Sequence, residues 1–307
     1  MSRISPYALG ATLFVPALHQ DIHQIIAGRK YPGLKSVVLC LEDSLHSNDV
    51  ESGLANLGRS LGRLGAEPDE TPQRPLVFVR PRHIEMAREI AAWPAINRVA
   101  GFVAPKFRPG QAEAWMQIIA GSGLLLMPTL ETSEMFDALA VRDLRDELIE
   151  TVPHRILALR IGGNDLMSCL GLRRSRGTSI YQTPLLYVLS LLSGIFVPAG
   201  FAMTSPVYEI IDDDIVLGQE SRQDVEFGFV GKTAIHPCHV PLIHNAYKVK
   251  QRDHESAMRI LDADAAAVFK FHGAMCEPST HSAWARRIME RVKYHGLADP
   301  ELQSVAA

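Results

Sequence analysis

Eight times in the first 240 residues, a short apolar run rich in β-formers gives way to a stretch with helical patterning. The runs are TLFVP (12–16), SVVLCLE (36–42), LVFVR (76–80), GFVAPK (101–106), LLLMPTLE (124–131), ILALRIGG (156–163), GFAMTSPVY (200–208) and GKTAIHP (231–237), the seventh being the least sharply bounded. Amphipathic segments such as ETSEMFDALAVRDLRDELIE and TPLLYVLSLLSG lie between them. Strands that alternate with helices build a parallel sheet, and such strands, buried on both faces, read as near-continuous apolar runs. Eight units point to a closed (β/α)8 TIM barrel, an α/β fold, over an open doubly wound sheet. An open dinucleotide-binding sheet would want GxGxxG after its first strand, and FVPALHQDI supplies no such glycines.

The barrel accounts for 1–240 as a catalytic domain. The remainder, 241–307, is expected to form a C-terminal helical arm or lid. QRDHESAMRILDADAAA and HSAWARRIMERVKYHGL read as helices joined by FKFHGAMCEPST. This tail is too short and too charged to be expected to bury a core of its own. In 46–75 the first part reads as the helix after the second strand, and EPDETPQRP as a surface loop.

With 307 residues, 47% hydrophobic and 21% charged, the chain can bury a core that needs no disulfide or structural metal. Its 31 basic and 34 acidic residues give a net charge of −3, which provides no basic field for nucleic acid. The four cysteines form no CxxC pair and read as reduced thiols of a cytoplasmic protein. The first residues show no signal-peptide core, and no apolar run approaches the roughly 20 residues of a membrane span.

The residues just past each barrel strand face its C-terminal mouth. They are Glu42 and Asp43, Arg80 and Arg82, Lys106, Glu131, Asp165, and Lys232 with His236. Glu131 and Asp165 each end an apolar run on successive strands. Two such carboxylates make a half-site for a hard divalent cation such as Mg²⁺, which would chelate a small anionic substrate. Asp165 equally suits the N-cap of the helix that follows it.

TLFVP, CLEDSL, VFVRP, APK, PTLET, GGNDL and GKTAIHP also occur in the order seen in the citrate lyase beta-subunit and malyl-CoA lyase branch of the HpcH/HpaI aldolase family, which the chain resembles over roughly 11–240. The resemblance implies a (β/α)8 barrel and Mg²⁺-dependent aldol-type cleavage or condensation, with Mn²⁺ as an alternative metal. It implies metal ligation by Glu131 and Asp165. Arg80 would be the clamp for a substrate anion or enolate oxygen, with pairing to Glu42 or Asp43 as the structural alternative. Glu42 and Asp43 would stand behind the metal, or Asp43 would complement a helix dipole. Lys106 would neutralise the acidic mouth. His236 reads either as a structural hydrogen-bonder behind the site or as a base.

Three segments depart from the family pattern. In ALGATLFVPALHQDI, Gly10 stands where relatives acting on CoA esters carry an arginine, so a CoA ester substrate is left open. LGLRRSRGTSIYQTP (170–184) adds Arg173, Arg174 and Arg176, which read as a solvated loop or as a binding site for an anionic substrate tail. GAMCEP (273–278) resembles the family's lid segment, with Glu277 as the acid/base counterpart or as part of a helix-initiating loop. The expected activity is a metal-dependent carbon–carbon lyase acting on a small hydroxy- or oxo-carboxylic acid. Thioester chemistry of the malate synthase or thioesterase kind, or a non-catalytic barrel subunit, are the alternatives. A homotrimer or homohexamer is the family-like assembly.

Overall fold

The structure is a computed structural model that describes residues 4–66, 74–151 and 154–299. The chain divides into two compact units, Met1–Val240 and Pro241–Ala307.

In the first unit eight parallel strands close in sequence order into a barrel. They are β1 (Gly10–Pro16), β2 (Ser36–Cys40), β3 (Leu76–Arg80), β4 (Gly101–Ala104), β5 (Leu125–Leu130), β6 (Leu159–Ile161), β7 (Met203–Ser205) and β8 (Gly231–Ala234). Every apolar run of the sequence supplies one. Each helix turns its apolar stripe onto the sheet, as Leu57, Leu61 and Leu64 do in the helix Val50–Ala66. At Gly101 a Cβ would lie 2.0 Å from the carbonyl oxygen of Leu125, so only glycine lets β4 and β5 approach this closely.

The strand register sets what fills the barrel. Gly10 pairs with Gly231 and Thr12 with Thr233 across the β1–β8 seam. Thr12 also pairs with Ser36, Thr129 with Arg160, and Arg160 with Thr204. Registered residues of parallel strands point to the same face, so these polar residues form a layer inside the lumen. Below it Leu9, Val38, Phe78, Val103, Met127 and Ala158 belong to one apolar cluster. Above it lie the strand ends and the mouth.

The second unit holds two main helices, Gln251–Ile260 and Pro278–His295, as the pattern predicts. The segment between them differs from a plain connector. It is a hairpin of β9 (Phe269–Phe271) and β10 (Ala274–Cys276). Its two turn residues, His272 and Gly273, both adopt positive φ (47° and 82°), the conformation a two-residue hairpin turn demands. Contrary to the expectation of no core in this tail, Val249, Ala257, Ile260, Cys276, Ala285 and Ile288 form a small buried cluster.

Residues 67–73 of the expected EPDETPQRP loop lie outside the described residues. Among the described residues the four cysteines are free, and no helix is long and apolar enough to cross a membrane.

Candidate active site at the barrel mouth

Six of the predicted residues converge at the C-terminal ends of β2 to β6. Glu131 follows β5 and is buried. Its Oε1 accepts a 2.7 Å hydrogen bond from the backbone N–H of Lys106. Lys106 can present that N–H because it turns into the left-handed region (φ 47°), a conformation that costs a non-glycine residue about 1 kcal/mol or more and recurs at functional sites. Gly162, at the end of β6, gives Glu131 its room: a Cβ there would lie 2.1 Å from Glu131 Oε2.

The Lys106 side chain reaches the opposite way. Its Nζ donates to Glu42 Oε1 at 2.6 Å and Asp43 Oδ2 at 2.9 Å, and lies 3.7 Å from Asp165 Oδ1. Asp165 sits in the first turn of the helix Gly163–Cys169, whose N-cap is Gly162 without a side-chain cap. The capping role open to Asp165 in the sequence is therefore not the one it takes. Arg80 ends β3. Its Nη2 pairs with Glu42 Oε2 at 3.1 Å, its Nε donates to Cys40 Sγ at 3.2 Å, and its guanidinium covers the Phe14 ring at 5.1 Å. Three anchors hold the planar donor fork in one orientation.

The electrostatics are uneven. Burial pushes the Glu131 carboxyl up to about 7; the Lys106 N–H opposes this and the Asp165 charge adds to it. Lys106 is the reverse case. Its partial burial disfavours the charge, but the hydrogen bonds to Glu42 and Asp43 outweigh it and hold the ammonium well above its usual range. That removes the imine-forming chemistry of a lysine with a depressed pKa. The same ammonium holds Asp43 below the usual carboxylate range against its own burial. Glu131 is thus a buried carboxylate whose described hydrogen bond comes from the backbone. Its placement beside Asp165 fits a hard cation of octahedral preference, which needs few protein oxygens and keeps waters. Among the described residues no group of three or more His, Cys, Asp or Glu is placed to hold a metal ion, at the mouth or elsewhere, so the chain offers the ion two carboxylates there.

Other predicted residues lie elsewhere or do other work. Arg174, expected on a solvated loop or at a substrate tail, is buried. It pairs with Glu220 and with Glu209 (3.2 Å), donates to the carbonyl of Val207 (2.9 Å) and stacks on Tyr208. Lys232 does not face the mouth. It alternates with the inward-facing Thr233 and points out of the barrel, where it is fully buried between Glu220 (2.8 Å) and Asp224 (2.9 Å) of the helix Asp214–Glu226. These contacts explain the charges: they tie the loop 170–184 and β8 to one helix. Arg173 remains exposed beside Arg176 and Glu209 on a depression of about 640 Å³.

His236 is exposed, and its described contact is to Cys238 Sγ at 2.9 Å; it does not stand behind the carboxylates. Arg82, beside Arg80 at the end of β3, holds backbone carbonyls of Leu41, Glu42 and Leu45. Glu277 belongs to the second unit, where its carboxylate accepts from Thr280 Oγ1 (3.2 Å) and Ser279 Oγ (3.3 Å) at the start of its own helix. Gly10 is the buried first residue of β1, at the barrel end opposite the mouth.

One residue of the lumen escaped the sequence reading. Arg160 on β6 is 1% exposed and donates to Thr233 Oγ1 at 2.5 Å and Thr12 Oγ1 at 3.5 Å. Burial pulls its pKa down to about 9, and the neighbouring Arg80 charge adds to the effect. A charged residue inside the run ILALRIGG was the available signal.

An eight-stranded barrel with buried carboxylates and a fixed guanidinium at its C-terminal mouth defines the class: a TIM-barrel protein with a charged mouth rich in carboxylates. Residues 3–297 match the family model described as C-C_Bond_Lyase of the TIM-Barrel fold, and the chain belongs to that family. Among curated proteins it is similar to the citrate lyase subunit beta of Escherichia coli (strain K12), 26% identical over 151 residues, 47% of this chain and 48% of that protein. It is also similar to a citrate lyase subunit beta-like protein of Deinococcus radiodurans, 30% identical over 113 residues, 37% of this chain and 38% of that one. The chain thus spans about half the length of the first curated relatives it matches. Of solved structures, CitE of Mycobacterium tuberculosis in complex with magnesium, acetoacetate and coenzyme A superposes with a TM-score of 0.66 at 22% identity, covering 94% of this chain and 99% of that one. RipC of Yersinia pestis gives 0.58 at 18% identity, covering 79% and 96%. These likenesses show the fold.

Proposed function

We propose that the chain is a Mg²⁺-dependent carbon–carbon lyase that cleaves or forms a bond in a small hydroxy- or oxo-carboxylic acid through an enolate. The observation that carries this reading is Glu131: a buried carboxylate raised to about 7, beside Asp165 and below a fixed guanidinium. Membership of the carbon–carbon bond lyase family and the magnesium and small acids bound by the mycobacterial neighbours support it.

Glu131 and Asp165 would hold the ion, with Mn²⁺ as an alternative. When bound, the ion supplies Lewis-acid polarisation of a substrate carboxylate and its adjacent oxygen. Arg80, held by Cys40, Glu42 and Phe14, offers two parallel donors to the oxygen on which negative charge develops. Glu42 fixes that guanidinium, and with Asp43 it anchors Lys106, whose ammonium offsets the acidic mouth. In the proposed oligomer Glu277 of a neighbouring copy, or water, moves the proton. Arg173 offers a cation to an anionic tail. A CoA thioester remains the second reading, favoured by the coenzyme A in the mycobacterial complex. A homotrimer or homohexamer is the proposed assembly.

The test is a cleavage assay over free hydroxy acids and their CoA esters with Mg²⁺ present. Glu131→Gln should abolish turnover while the protein stays folded. Turnover of CoA esters alone would select the second reading. Loss of activity that tracks loss of folding would reduce Glu131 to a structural role.

A further inference from the structure

The lumen beneath the mouth contains a charge that the proposed chemistry does not use. Arg160 carries five N–H donors on a buried guanidinium, and its described hydrogen bonds go to two hydroxyls, Thr233 and Thr12. No ion pair with a carboxylate is formed among the described residues. Burying a guanidinium costs several kcal/mol, and the charge that offsets it here is that of Glu131, with which it forms no ion pair.

Its surroundings are built to receive oxygen atoms. Thr129 and Thr204 flank Arg160 in register on β5 and β7. Among the described residues both hydroxyls are buried and have no hydrogen-bond partner. Buried polar atoms are normally satisfied, and two such hydroxyls beside a guanidinium that has donors to spare suit the oxygens of an anion. Arg160 precedes Gly162 by two residues, so it lies one inward-facing layer, roughly 6.6 Å along the strand, below the Glu131 carboxylate. The guanidinium groups of Arg160 and Arg80 each lie 5.1 Å from the centroid of the Phe14 ring, so both cations share this ring in the lumen.

We infer that Arg160, with Thr129 and Thr204, is a second anion-recognition site in the barrel lumen beneath the mouth, which takes a distal carboxylate of the substrate while the proximal one binds at the mouth. Arg160 is then a specificity-determining residue that selects dicarboxylic over monocarboxylic acids. This rests on the proposed lyase reading and adds to it the number of anionic groups the substrate carries.

The test titrates the full-length, Mg²⁺-loaded protein with malate and with lactate by calorimetry; the two acids differ by one carboxylate. Wild type should bind malate more tightly. Arg160→Met should weaken malate by about 30-fold or more, as expected when one member of a buried charge pair is removed, and lactate by less than about threefold. Arg160→Lys, which keeps the charge, should retain part of the preference, and it keeps the test open if the methionine variant fails to fold. Equal weakening of both acids, no wild-type preference for malate, or loss of the Mg²⁺ heat in Arg160→Lys would overturn the inference. Absence of the Mg²⁺ heat in wild type would instead overturn the lyase reading.

Discussion

Replacing Glu131 by glutamine should stabilise the metal-free protein at alkaline pH. In the unfolded chain a glutamate titrates near 4.5; in the fold Glu131 titrates near 7, chiefly because it is buried. Between these values the folded state holds more protons than the unfolded state, so stability falls as pH rises. The loss begins near 4.5 and is complete above 7. The 2.5-unit gap, at 1.36 kcal/mol per unit, makes it about 3 kcal/mol. Glutamine is uncharged and can still accept from the Lys106 N–H, so it removes the penalty. In EDTA at pH 8, calorimetry should find Glu131→Gln about 3 kcal/mol more stable, roughly 5 °C in Tm for a chain of this size. At pH 5 the difference should fall below about 1 kcal/mol. Saturating Mg²⁺ at pH 8 should raise the Tm of wild type and leave that of the variant unchanged. A variant less stable than wild type by the same amount at both pH values would refute the idea that an uncompensated carboxylate sits at this position.

Gly162→Ala places a methyl against Glu131 Oε2; it should weaken Mg²⁺ by about tenfold or more in calorimetry while circular dichroism is unchanged. Arg174→Met takes the cation from Glu209 and leaves Glu220 with Lys232 alone, and urea unfolding should show a loss of about 3 kcal/mol with Mg²⁺ affinity intact. Full stability with a raised KM would return Arg174 to substrate binding. His236→Ala should change kcat/KM by less than about twofold, because its contact is an exposed one to Cys238; a large loss would restore it to the site.

The barrel was legible because parallel strands are buried on both faces and leave apolar runs. Even β6 and β7, three residues each, were visible through their flanks. The charged mouth was legible for the same reason: Glu42, Arg80, Lys106, Glu131 and Asp165 are charges at the ends of apolar runs. Position along the chain did not say which way a side chain turns. Lys232 and Thr233 are neighbours, but period-two alternation sends one to the outer helix and the other into the lumen. Arg174 looked like a loop charge because its partners, Glu209 and Glu220, are 35 and 46 residues away in sequence. The hairpin of the C-terminal unit was hidden by the brevity of its strands, although His272-Gly273 is a turn dipeptide with a physical basis.

The central claim is that Glu131 and Asp165 grip one divalent ion. Calorimetric titration of the metal-free protein with Mg²⁺ at pH 8 tests it most directly. The account predicts one ion per chain with millimolar or tighter affinity, abolished in both Glu131→Gln and Asp165→Asn. No heat in the wild-type protein, or the same heat in either variant, would contradict it.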